Sequence, residues 1–250
     1  MQTFKNLIKS ILSSIYFPWL APMALKKINV EKGQSMSAEK SYQWTEEFIV
    51  GPKIRGLNIN FRASQEKEEI LELLKVLEKN QPRLILEIGT ATGGTLFMFT
   101  SVVADDAEII SIDLPLGRYG AGYLPYRIPL MKAFARAGQK LHLLRLDSHK
   151  SETINALEAI LNGRKLDFLF IDGDHSYDGV KSDFNNYARF VRPGGLIAFH
   201  DIVENDFDQS FGTQRFWKEI RNGFEYQEFI RANASNTGCG IGLIKVPKKN

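Results

Sequence analysis

The sequence predicts an α/β protein built on a doubly wound, mostly parallel sheet of seven strands. Five short β-type runs alternate with helical stretches from residue 84 to residue 199. Polar or titratable residues follow each of those runs. Two further β-type runs near the end of the chain have no convincing helix between them, which predicts an antiparallel hairpin finishing the sheet.

Phe4, Leu7, Ile8, Ile11 and Ile15 recur at helical spacing with Lys5 and Lys9 among polar neighbours, so residues 2–16 are expected to form an amphipathic helix. The apolar stretch from Phe17 to Pro22 is interrupted by two prolines, and no charge-free run reaches the roughly 18 residues of a membrane span. Lys5 before an apolar stretch resembles a secretory leader, but Lys9 interrupts it. Residues 1–22 are read as a helix packed on the domain or on another subunit of a homo-oligomer, with peripheral membrane contact as the alternative. Residues 31–63 are polar and read as an irregular connection with one short helix at most, so that 1–55 form a helical extension and linker and 56–250 the main domain. Ser64 is the expected cap of a helix from Gln65 to Asn80, which carries Ile70, Leu71, Leu73, Leu74 and Leu77 on one side. The strands of the alternating region are Leu84 to Ile88, Glu108 to Ile112, Leu141 to Leu146, Phe168 to Ile171 and Leu196 to Phe199. The closing hairpin pairs Glu225 to Ile230 with Gly240 to Val246.

Forty-four per cent hydrophobic and 24% charged residues over 250 positions exclude disorder, collagen and coiled coil. One cysteine, Cys239, cannot form an intramolecular disulfide, which points to a reducing, cytoplasmic setting. The formal charge is +3 with no basic stripe, so nucleic acid is disfavoured as a partner and a small molecule is favoured.

Ligands of open α/β sheets sit beyond the carboxyl ends of the strands. Those ends read Leu86-Glu87-Ile88-Gly89-Thr90-Ala91-Thr92-Gly93-Gly94-Thr95, then Asp113, Asp147-Ser148-His149, Asp172-Gly173-Asp174-His175 and His200-Asp201. The glycine loop lets backbone approach a nucleotide-like ligand and aims the amides of the next helix at it. Gly89, Ala91 and Gly94 also fit a dinucleotide fingerprint with Asp113 as its acidic partner, so an NAD-dependent oxidoreductase stays open. Glu87 argues against it, because a carboxylate there opposes a diphosphate and suits the cationic amino end of S-adenosylmethionine.

These strings, in this order, resemble the class I S-adenosylmethionine-dependent methyltransferases, whose fold is Rossmann-like. More narrowly they are similar to metal-assisted O-methyltransferases grouped with cephalosporin hydroxylase-like proteins and with sugar and macrolide methyltransferases. The resemblance covers residues 60–246. It implies that Glu87, Gly89, Thr90 and Gly93 cradle the methionine and ribose of the cofactor, that Asp113 takes the ribose diol, and that Asp147, Ser148 and His149 lie at the adenine. It further implies a divalent ion, Mg²⁺ in the first place, held by Asp172, His200 and Asp201; an imidazole at His200 moves preference toward Mn²⁺, Fe²⁺ or Zn²⁺. His175 stands where related enzymes carry a basic lysine and would take the proton of the attacking hydroxyl, with Asp174 orienting it or touching cofactor. The implied substrate is a small hydroxylated compound, such as a sugar or glycosylated metabolite. A non-catalytic cofactor-binding protein is the third alternative. The stretch from Leu114 to Arg127 holds three glycines, three tyrosines and two arginines, and reads either as a substrate lid or as a surface loop packed on the extension.

Overall fold

The computed structural model describes residues 15–31, 35–54, 57–115, 123–206, 208, 210–232 and 239–248. Most of the expected 2–16 helix and the centre of the 114–127 loop lie outside them. The described chain begins with helices α1 (Phe17–Glu31) and α2 (Ala38–Glu47) and a short antiparallel ribbon, β1 (Ile49–Val50) with β2 (Ile59–Asn60). Then come α3 (Lys67–Asn80), β3 (Leu84–Ile88), α4 (Gly94–Val102), β4 (Glu108–Ile112), α5 (Arg127–Lys132), β5 (Lys140–Leu144), α6 (Ser151–Leu161), β6 (Leu166–Ile171), α7 (Tyr177–Tyr187), β7 (Val191–His200), α8 (Thr213–Ile220), β8 (Glu225–Phe229) and β9 (Ile241–Lys245).

The seven-stranded sheet has the order β5-β4-β3-β6-β7-β9-β8. Its first five strands are parallel, whereas β9 runs antiparallel to both β7 and β8. The chain winds outward from β3 through β4 to β5, then returns to lay β6 on the other side of β3, so the crevice for a ligand opens between β3 and β6. Strand alternation feeds two cores. Ile85, Phe168 and Phe170 pack with α1 to α5 on one face, while Leu86, Ile88, Leu169 and Ile171 pack with α6 to α8 on the other.

Several boundaries differ from the sequence expectation. Pro18 and Pro22 do not interrupt α1: Pro18 lies near its start, and Pro22 forgoes one bond in a helix held by buried Leu20, Ala24 and Ile28. Ser64 does not cap α3; Glu66 occupies the cap position without a side-chain bond. The first-edge strand β5 ends at Leu144, and β7 starts at Val191 because its early residues pair with β6 from Leu166.

Ala38, Phe48, Val50, Ile59 and Phe61 carry the 38–61 stretch into the core. Trp44 stacks on Phe97 with ring centroids 3.7 Å apart and lies against Phe48 and Phe61. Phe48→Ala removes a buried ring from this stack and is expected to cost about 3–5 kcal/mol, read as a shift in urea midpoint at unchanged slope. A stack that contributed only surface packing would leave the midpoint within the error of wild type.

Candidate active site

The β3–α4 connection is shaped by two glycines held at positive φ. Gly89 has φ +94°, and a Cβ there would sit 1.9 Å from the carbonyl oxygen of Asp172, so the loop lies directly against the end of β6. Gly93, at φ +93°, opens α4. Between them Ala91 adopts φ +46° and donates its amide to Asp113 Oδ2 at 2.7 Å, which ties the loop to the end of β4. Thr90 is buried, its hydroxyl 2.5 Å from that of Ser111.

Glu87 lies under this loop with no exposed surface, and neither carboxylate oxygen has a hydrogen-bond partner. Burial pushes its carboxyl up to about 8 against the downward pull of the nearby Thr90 and Thr95 hydroxyls. An unpartnered buried carboxylate is costly when ionised, and a cationic ligand group removes that cost. Because the folded value lies above the ordinary 4.5, this contribution to stability is complete below pH 4.5 and disappears as pH rises through about 8. Urea midpoints of the ligand-free protein should therefore fall over that window, and Glu87→Gln should flatten the fall. Equal pH slopes in the two proteins would show that Glu87 titrates normally.

Across the crevice, Asp172 at the end of β6 accepts from Gln65 Nε2 at 2.6 Å and faces His200 Nδ1 at 3.1 Å. His200 Nδ1 is also 3.2 Å from Asp201 Oδ1, and its Nε2 is buried without a partner. Asp201 holds φ +60°, a left-handed backbone that aspartate tolerates, and its Oδ2 meets His175 Nδ1 at 2.7 Å. One ligand atom each from Asp172, His175 and Asp201 lies within 4.8 Å of the others. Burial opposes the protonated form of both imidazoles, but the Asp172 and Asp201 carboxylates win and raise His175, and His200 more strongly, above the ordinary histidine value. The imidazole of His175 stacks on Phe211 at 4.7 Å. A cavity of about 380 Å³ takes in the glycine loop, these four side chains, Arg62, Gln65 and Phe211.

The remaining expected residues, Asp147, Ser148, His149 and Asp174, are not among those that line this cavity. Asp147 Oδ1 accepts the His149 amide, and the Ser148 carbonyl accepts from Tyr187 Oη at 2.6 Å. His149 Nε2 is 3.3 Å from Asp183, a pairing that pushes its imidazole up to about 9. Asp174 Oδ1 accepts the Ser176 amide at the start of α7. At the 114–127 loop, Tyr126 stacks on Phe17 of α1 and Arg127 donates to the carbonyls of Asn60 and Thr92.

A family profile described as a methyltransferase domain matches residues 86–202, which span the glycine loop, Asp113 and the whole Asp172–Asp201 cluster. The chain thus matches a methyltransferase domain over just under half of its length. It is 32% identical to the protein y4gI of Sinorhizobium fredii over 56% of this chain and 15% of that protein. It is 29% identical to a probable caffeoyl-CoA O-methyltransferase of Arabidopsis thaliana over 48% of each. The chain thus spans half or less of the length of both curated relatives. Among solved structures, the O-methyltransferase TomG of Streptomyces achromogenes, determined with S-adenosylmethionine, superposes with a TM-score of 0.51 at 16% identity, covering 90% of this chain and 96% of that one.

Two residues of the cavity carry no signal in the sequence. Gln65 reaches Asp172 across 107 positions of chain, and Phe211 meets His175 from the segment before α8. A glutamine near a helix start and a phenylalanine between turns look like ordinary surface and packing residues until the fold brings them to the rim.

Proposed function

We propose that this protein moves the methyl group of S-adenosylmethionine to a hydroxyl oxygen of a small substrate with the help of a divalent ion. The observation that carries the reading is the meeting of Asp172, His175, His200 and Asp201 beside the Gly89 loop and the unpartnered Glu87 carboxylate. Glu87 suits the amino end of the sulfonium cofactor and would oppose a dinucleotide's diphosphate. Gly89 and Gly93 give the backbone its approach, Asp113 accepts the ribose hydroxyls, and the 147–149 turn borders the adenine. When bound, the cofactor supplies an electrophilic methyl on sulfur.

The donor set fits a divalent cation: the largely buried Asp172, the buried Asp201 and the imidazoles of His175 and His200 beside them. Asp172, Asp201 and His200 would hold the ion, which would lower the pKa of a coordinated hydroxyl and neutralise the two carboxylates. His175, fixed by Asp201 and by its stack on Phe211, accepts the substrate proton and keeps it as an imidazolium stabilised by Asp201. A second reading is favoured by the convergence of the Asp172, His175 and Asp201 ligand atoms, in which His175 is itself a ligand and His200 holds both carboxylates from behind. Acceptor specificity for a sugar or glycosylated metabolite rests on the sequence resemblance. Gel-purified chain supplied with S-adenosylmethionine and panels of sugar and catechol-type acceptors, with divalent ion or with chelator, tests the proposal. O-methyl product that disappears with chelator is the expected result; transfer to nitrogen, or transfer indifferent to chelator, overturns it.

A further inference from the structure

We propose that the outward face of α1 docks on an anionic membrane surface. Leu20, Ala24 and Ile28 bury one side of this helix in the core. On the opposite side, Ile15, Trp19, Met23 and Val30 are 67%, 69%, 56% and 77% exposed. The first three follow one another every fourth residue, so they form one ridge continued toward Val30. A helix that is apolar on both sides is covered on both sides in its working state. Ile54, 59% exposed, adjoins the start of the ridge, because Tyr16 Oη donates to the Leu57 carbonyl and the Leu57 amide to that of Ile54, both at 3.0 Å.

Charge selects what covers it. Residues 1–30 contain Lys5, Lys9, Lys26 and Lys27 and no aspartate or glutamate, while residues 31–250 carry 28 basic against 29 acidic side chains. Lys27 lies over the Phe48 ring at 4.6 Å, and Lys26 stands exposed along the ridge side. A second copy seated on this face across a two-fold axis would bring two such lysine groups together, with only Glu31 at the end of α1, already held by Trp44 Nε1, as an acid on the helix. An anionic lipid surface takes the apolar ridge and the lysines at once, and an exposed tryptophan suits its interfacial depth. Among the described residues no helix is long and apolar enough to cross a membrane, so the contact is peripheral.

Flotation of the full chain with vesicles tests this. Wild type is expected to float with phosphatidylglycerol-containing vesicles, to stay behind with pure phosphatidylcholine, and to be released by salt. The Trp19→Glu, Met23→Glu double variant should lose flotation at an unchanged melting temperature, since both side chains are exposed. Lys26→Gln should weaken partitioning about fivefold. Of the three tryptophans, Trp217 is buried and Trp44 is stacked on Phe97, so a blue shift of emission on anionic vesicles should be absent in Trp19→Phe. Failure of wild type to float, equal flotation of the double variant, or a sedimenting dimer that the double variant dissolves would each overturn the proposal.

Discussion

S-Adenosylhomocysteine should raise the melting temperature of wild type and leave Asp113→Ala nearly unmoved. A ligand selective for the folded state at about a hundredfold excess over its Kd contributes roughly 2.7 kcal/mol, which for a chain of this size is about 5–10 °C. Asp113 is buried at the end of β4, and its Oδ2 already holds the Ala91 amide at 2.7 Å. Its removal therefore has two consequences at once: the ribose hydroxyls lose a charged acceptor, and Ala91 loses the bond that keeps it at φ +46°. Asp113→Asn keeps an acceptor for the loop and should retain part of the shift. Isothermal titration should show the same ranking in Kd. A shift produced by NADH and not by the sulfur compound would assign the loop to a dinucleotide instead.

Turnover should fall by roughly a hundredfold or more in His175→Ala, the usual scale for a missing general base, with divalent-ion affinity close to wild type. Asp172→Asn should lower ion affinity and turnover together, and added ion should recover part of the rate. The pH dependence separates the roles further. Asp201 and Asp172 raise His175 above the ordinary histidine value despite its burial, so the imidazole is protonated, and idle as a base, up to a higher pH than a free histidine. Wild-type rate should thus fall as pH drops through that raised value, and the acid limb should vanish in His175→Ala. Ion affinity should rise with pH in both proteins, because His200, which Asp172 and Asp201 raise well above its ordinary value, must give up its proton to coordinate. If His175→Ala strips the ion and leaves the acid limb in place, the imidazole belongs to the ligand set with Asp172 and Asp201.

The amino-acid sequence by itself determined the alternation of strands and helices, and with it the rim on which Glu87, Asp113, Asp172 and His200 appear. The reason is local: short apolar β-type runs and the residues that end them are written within a few positions of each other. The same locality explains why the closing hairpin was legible, since the 225–230 and 240–246 runs have no convincing helix between them. What depends on distant partners was not legible. The prolines of α1 read as breakers until Leu20, Ala24 and Ile28 found the core, and the polar 31–63 stretch concealed Trp44, whose stack on Phe97 makes the extension part of the domain. Tertiary structure also decided which strand-end groups meet. It turned Asp201 through a left-handed backbone toward His175, placed His200 between two carboxylates, and brought Gln65 to Asp172 from just before the start of α3. A sequence records the chemical type of each side chain, but distances of 3 Å between residues a hundred positions apart are set by how the sheet is ordered and covered.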